Sequence, residues 1–213
     1  MNKAIRIIRD EHAALVAVLR SIGLLLSQSR RRDLMPDLAS LRAMLFYIDE
    51  FPEKVHHSKE SGLLFPMLRR RTAEAAEVLD RLDHDHAASE AAVRELQHQL
   101  LAVEMMSEAP DFADRLSRFE AAAQAYVSGY LEHIRLEEVS VLPLAERVLT
   151  PEDWAELDAA FLANRDPLTQ PNDAYRPLFQ RILMTLPAPL GLGPAMEAFH
   201  VSYPRHVGRD PSG

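Results

Sequence analysis

Along the first two-thirds of the chain, apolar residues recur at alternating steps of three and four, the period of an α-helix with one buried face. Ile5, Ile8, His12, Leu15, Leu19, Ile22 and Leu26 fall on one stripe. A second segment carries Leu38, Leu41, Leu45 and Ile48 through Pro52 to His56 and Glu60. The third has Leu79, Leu82, His86, Ser89, Val93, Leu96, Leu100 and Val103, and the fourth Phe112, Leu116, Phe119, Ala123, Tyr126, Tyr130, His133 and Glu137. The pattern predicts helices over 3–28, 36–68, 73–107 and 112–148, joined by short connections. Consecutive long helices with short connections run antiparallel, so the expected fold is all-α, an up-down-up-down four-helix bundle. Pro52 lacks an amide donor, and a local kink is expected one turn before His56.

After Thr150 the pattern changes, and nine of the fourteen prolines lie from Pro151 onward. This divides the chain into a bundle over 1–149 and a helical, proline-rich extension over 150–213. Thr150-Pro151-Glu152-Asp153 reads as a helix cap followed by proline at the first helical position, opening a short helix to about Arg165. Another helix is expected from Asn172 to Leu186, irregular chain from Pro187 to Pro194, and a disordered end after Pro204. Trp154, Phe161 and Phe179 are the residues expected to pack the extension against the bundle.

Composition narrows the chemistry. With 47% hydrophobic and 26% charged residues, the chain has the balance of a soluble globular protein. Its longest uninterrupted apolar stretches are only a few residues, so no membrane span is expected. The start lacks an apolar signal core, which makes the cytoplasm the expected location. A net charge of -8 and a pI near 5.6 argue against nucleic acid as a partner. Arg30 to Arg32 and Arg69 to Arg71 fall at expected helix ends, where positive charge complements the helix dipole. There is no cysteine, so a metal can be held only by His, Asp or Glu.

Those residue types form an internal repeat. His56-x-x-x-Glu60 is followed by Phe65-Pro66, and His133-x-x-x-Glu137 by Leu142-Pro143. Each pair is preceded, one helix earlier, by a histidine in similar text, Asp10-Glu11-His12-Ala13-Ala14 and His84-Asp85-His86-Ala87-Ala88. Four helical residues turn about 400° and advance about 6 Å, so the His and Glu of each pair approach one point from one face. Residue counts from the connections place His12, His56, His86 and His133 at nearly one depth. Burying four imidazoles and two carboxylates without partners would be prohibitively costly, whereas metal ions satisfy them together. Imidazole with carboxylate suits iron, zinc and other borderline metals. His57 and His84 are rotated away from these positions and are expected to be exposed, as is His98; His200 and His206 fall in the irregular tail. Glu11 and Glu138 read as solvated neighbours, and Glu90 is a weak extra candidate. Tyr126 and Tyr130, on the face of His133, are either core residues or hydrogen-bond donors lining a small-molecule pocket.

On these paired motifs, residues 3 to 148 resemble the hemerythrin-like family, the His-His-Glu cation-binding domain. The resemblance implies a four-helix bundle and two iron ions, held by His12, His56, Glu60, His86, His133 and Glu137, bridged by both glutamates and, when oxidised, by an oxo group. Manganese and zinc are less favoured occupants. Oxygen-carrying hemerythrins use a fifth histidine on the third helix, where this chain has Leu82 and Glu90 on either side of His86. Four histidines and two glutamates are closer to bacterial proteins linked to repair of damaged iron centres, but those carry a cysteine-bearing N-terminal region that is missing here. The leading expectation is a di-iron protein that binds dioxygen, peroxide or nitric oxide in oxygen handling or stress defence. The alternatives are a peroxide-decomposing enzyme with Tyr126 or Tyr130 as proton donor, iron storage, donation or repair, a sensor acting through a protein partner, and a bundle without metal.

Overall fold

The computed structural model describes residues 2–164 and Leu168, and the secondary structure within them is helical throughout. Helix α1 spans Lys3–Arg32 and ends at Asp33, whose left-handed backbone (φ 52°) lets its amide close on the carbonyls of Ser29 and Arg30. Helix α2 is a continuous helical run over 38–71, capped at its start by the Asp37 carboxylate, which accepts from the Ser40 amide at 3.0 Å. Helix α3 spans Ala76–Met105, α4 runs over 112–148, and α5 is Pro151–Leu162. These differ from the expected limits by four residues or fewer at each end, as fraying and 3₁₀ turns permit. The expected helix over 172–186, Phe179 and the tail histidines lie outside the described residues. Both arginine triplets occupy last turns, Arg30 to Arg32 in α1 and Arg69 to Arg71 in α2.

Side-chain pairs between the helices run in opposite order. Arg42 meets Glu104, Ser61 meets Asp83 and Arg69 meets Asp80, so α2 and α3 are antiparallel. The pairs His12 with Glu137 and Arg30 with Glu120 do the same for α1 and α4. Inside lie two apolar clusters. One gathers Leu15 to Leu26, Leu41 to Ile48, Val93 to Val103 and Phe119 to Tyr130; the other gathers Ile8, Phe65, Met67, Leu68, Leu79, Leu82, Leu142 and Phe161. The polar layer formed by the matching spacing of the two repeats lies between them.

By length and composition α1 could cross a membrane, contrary to the expectation drawn from its short uninterrupted runs. Over half of its apolar window is buried in the protein, with Glu11 and His12 on the inner face, which is the position of a core helix. Helix α5 packs along α1, and Asp158 accepts from the Ala4 amide at 2.7 Å. Its start is a capping box: the Asp153 carboxylate accepts from the Thr150 amide at 3.0 Å, and the Thr150 hydroxyl accepts from the Asp153 amide at 3.3 Å. Thr150→Ala should therefore cost about 1 kcal/mol in urea denaturation, and an unchanged midpoint would show that α5 does not depend on its cap.

Candidate metal centre

The repeat read from the sequence is also a repeat in backbone geometry. In α2, residues Asp49–His56 form a π-helical stretch with Pro52 inside it, closed by the His57 amide bonding to the Pro52 carbonyl. Proline cannot donate to the carbonyl four residues back, and the wider turn absorbs the missing bond where a kink was expected. A second π-helical turn opens at Glu60, where the Phe65 amide bonds the Glu60 carbonyl; in α4 the Leu142 amide bonds the Glu137 carbonyl in the same way. Each glutamate thus opens a wide turn that ends just before a proline, Pro66 or Pro143.

The side chains meet in one buried layer. All six residues named from the sequence, His12, His56, Glu60, His86, His133 and Glu137, are brought together there. His57 joins them. It is only 5% exposed, and its ring stacks on His86 with centroids 3.8 Å apart. Two groups of potential ligand atoms result, His12, His56, Glu60 and Glu137 in one, and His57, Glu60, His86 and His133 in the other, with the atoms of each within 4.8 Å of one another.

Distances within the layer have the scale of a coordination shell. His12 Nε2 lies 3.2 Å from His56 Nε2, and His86 Nε2 3.1 Å from His133 Nε2. Two nitrogens bound to one first-row ion at about 2.1 Å, roughly 90–110° apart, would be separated by about 3.0–3.4 Å. Glu60 turns one oxygen to each group, Oε1 at 2.9 Å from His56 Nε2 and Oε2 at 3.5 Å from His86 Nε2. Glu137 Oε2 lies 3.3 Å from His12 Nε2 and 3.8 Å from His133 Nε2. Both carboxylates are 0% exposed, and none of their four oxygens has a hydrogen-bond partner. Buried carboxylates are costly unless paired, and a cation is a partner that fits them.

Nearly all the imidazoles are held from behind by their Nδ1 atoms. Glu138 Oε1 faces that of His12 at 3.2 Å, Glu11 Oε2 that of His56 at 2.7 Å, Glu53 Oε2 that of His57 at 3.0 Å, and Ser61 Oγ that of His86 at 2.8 Å. Asp85 Oδ2 stands 3.6 Å from His133 Nδ1. A carboxylate on Nδ1 fixes the tautomer with its proton outward, leaving the Nε2 lone pair free to point into the layer.

This arrangement agrees with the comparison to known families. Residues 3–145 match the model of the hemerythrin HHE cation-binding domain, while no curated protein matches the chain. The chain belongs to the hemerythrin HHE cation-binding family. Its buried His and Glu groups can hold a metal ion.

Several expectations for this hemerythrin-family centre are corrected. His57 is buried rather than exposed, because a helix inside a bundle faces two neighbours about a quarter turn apart. His56 points to α1 and His57 to α3 and α4, so the residue one position along is also inward. The cluster therefore contains a fifth imidazole, supplied by α2 rather than α3. Glu11 is buried against His56, and Glu138, whose side chain is 41% exposed, bonds His12; neither is merely solvated. Glu90 pairs with Arg94 at the surface and stays outside the cluster, and His84 and His98 are exposed.

Electrostatically the two halves of the cluster differ. Burial opposes charge on His12, but Glu137 and Glu138 outweigh it and hold the imidazole at about 9. His56 is likewise raised, burial being outweighed by Glu60 and Glu11. On the other side burial dominates and neighbouring imidazoles reinforce it, lowering His57 and taking His86 to about 2; burial also lowers His133. Burial and the Glu137 charge push Glu60 up to about 7, whereas Glu137, despite burial, is held well below its usual range by His12 and the other imidazoles. His57, His86 and His133 are thus held towards the neutral form that can ligate a cation, whereas His12 and His56 favour the protonated form.

A cavity of about 260 Å³ opens between α3 and α4 and reaches His57 and His133. Tyr126 and Tyr130 line it, with Ala88, Ala125 and Gly129 forming an apolar wall. The Tyr126 hydroxyl donates to Glu53 Oε1 at 3.0 Å, and the Tyr130 hydroxyl lies 2.9 Å from His57 Nε2. Burial raises both phenols well above their usual value, so they stay protonated as donors. On the His12 and His56 side the remaining space is only about 10 Å³. Among the described residues, the larger opening beside the cluster is therefore on the His57 and His133 side.

Proposed function

We propose that the chain is a non-haem di-iron protein that binds dioxygen, peroxide or nitric oxide, serving oxygen handling or defence against oxidative and nitrosative stress. The observation that carries this reading is Glu60, wholly buried, with one oxygen turned to each histidine group. The antiparallel pairings support an up-down-up-down bundle of α1 to α4 around the site, with the chain from 150 as an extension. His12 and His56 would hold one ion, His57, His86 and His133 the other, and Glu60 and Glu137 would bridge them. Imidazole-rich donors favour iron over manganese. Bound ferrous ions would supply electrons and open coordination positions for a small ligand. The cavity would admit that ligand on the His57 and His133 side, where the Tyr130 hydroxyl can donate to it.

Protein from iron-replete cells should contain two irons per chain and, after anaerobic reduction and exposure to air, develop the near-ultraviolet and visible absorption of a ferric pair. Metal content well below two, or no spectral change, would overturn the reading. A peroxide-decomposing enzyme is favoured as a second reading by the two protonated tyrosines lining the opening on the His57 and His133 side of the cluster. Sustained peroxide turnover supports it, and consumption limited to one equivalent per centre argues for binding alone.

A further inference from the structure

The family match ends at residue 145, yet the buried layer is closed on one side by residues beyond it. Behind His56, the Glu11 carboxylate that accepts from Nδ1 is itself held by Asn164, whose amide Nδ2 donates to Oε1 at 2.9 Å and to Oε2 at 3.1 Å. Asn164 is buried, and its amide is oriented by Lys59, which donates from Nζ to Oδ1. Lys59 also donates to the Ala160 carbonyl at 2.8 Å in the last turn of α5. Phe161, fully buried, sets its ring edge-on to His56 with centroids 6.1 Å apart. His12 is backed differently, by Glu138, which is part-exposed on the bundle's own fourth helix.

We propose that Asn164 is a positioning residue for the His12 and His56 half of the centre, so that the segment after the family domain sets the affinity of one metal position and not the other. The inference rests on the two-ion reading above. Its chemistry is that of an outer hydrogen bond. Two donors from Asn164 neutralise part of the Glu11 charge and fix its rotamer, so that Oε2 meets His56 Nδ1 and holds Nε2 inward as a lone pair. Lys59 ties this contact to α2 itself, since it lies between His56 and Glu60 in the chain. Without the amide, Glu11 would retain only the His56 bond, and the imidazole would lose a fixed backing. The three imidazoles of the other half are backed by Glu53, Ser61 and Asp85, which Asn164 does not touch.

The test is anaerobic titration of the full-length protein with Fe(II) against a competing chelator, which resolves two binding constants. Asn164→Ala should weaken one constant by about 10- to 100-fold and leave the other within about threefold. Asn164→Asp, equal in shape, removes the donor and sets a second carboxylate against Glu11; it should weaken the same constant at least as much. Urea denaturation of the metal-free variants provides the readout that a merely structural role would move. A selective loss in affinity with an unchanged midpoint supports positioning. Unchanged constants, or equal loss of both alongside a lowered midpoint, overturn it. Wild-type protein that binds fewer than two ions would defeat the two-ion reading itself, whereas two ions in the wild type with unaltered binding in both variants would defeat the role of Asn164 alone.

Discussion

Glu60→Leu is expected to empty both halves of the centre and, at the same time, to make the metal-free protein more stable. Its two oxygens face different histidine groups, so its removal takes a ligand from each position and should weaken both ions by at least about 100-fold. Without metal the same carboxylate is a liability: it is fully buried and stands beside Glu137, with His56 Nε2 at 2.9 Å as its near partner. Replacing a buried ionic group by an apolar side chain of similar volume is often neutral or stabilising by about 1–4 kcal/mol. The sign with pH follows from its raised value of about 7, above the 4.5 of an ordinary glutamate. Folded protein keeps a proton that the unfolded chain releases, so this group's contribution to stability declines as pH rises from the lower value through the higher. The advantage of Glu60→Leu over metal-free wild type should therefore widen between about pH 5 and pH 8 in urea denaturation. Elemental analysis showing two retained ions, or a variant less stable than wild type at the higher pH, would contradict this account.

The parts of this site that were legible in the sequence are those in which side chain and helical period agree. His12, His86, His133 and the His56 and Glu60 pair fall on stripes of apolar residues, and the structure gathers them into one layer. The bundle pattern was legible for the same reason: long helices bury one face each. His57 was missed because a rotation of about 100° was taken to mean exposure, which holds for a helix with one neighbour and fails for one wedged between two. The adjacent histidines at 56 and 57 were the available signal. Glu11, beside His12, read as a solvated neighbour and Glu53, one turn before His57, drew no reading, because a carboxylate behind an imidazole has no periodicity of its own. The π-helical turns could have been suspected from Pro52, Pro66 and Pro143, each of which leaves a carbonyl without its usual donor. Asn164 had no local signal. Its role depends on how α5 returns along α1, a packing outcome that residue spacing does not encode.

Loading the metal-free protein with Fe(II) near pH 7.5 is expected to release about two protons per chain, and apparent affinity for the pair should rise roughly 100-fold per pH unit in that range. The protons come from His12, held at about 9 by Glu137 and Glu138 against burial, and from His56, raised by Glu60 and Glu11 against burial. Each must surrender Nε2–H to become a ligand. His57, His86 and His133 contribute none, because burial already keeps them neutral. Titration calorimetry in buffers of different ionisation enthalpy counts the protons directly. The same groups set the stability of the metal-free state. A histidine whose folded value exceeds the unfolded 6.5 contributes stability that is fully present below 6.5 and lost as pH rises through about 9. Glu60 weakens the metal-free protein in the same direction from lower pH. Metal-loaded protein has no such protons to lose, and an ion present at about 100 times its Kd adds about 2.7 kcal/mol. For a chain of this size that is roughly 5–10 °C in Tm. The gap between loaded and metal-free Tm should therefore widen from about pH 6 to pH 9. Proton release near zero, or a gap independent of pH, would mean that His12 and His56 do not give up protons to a metal.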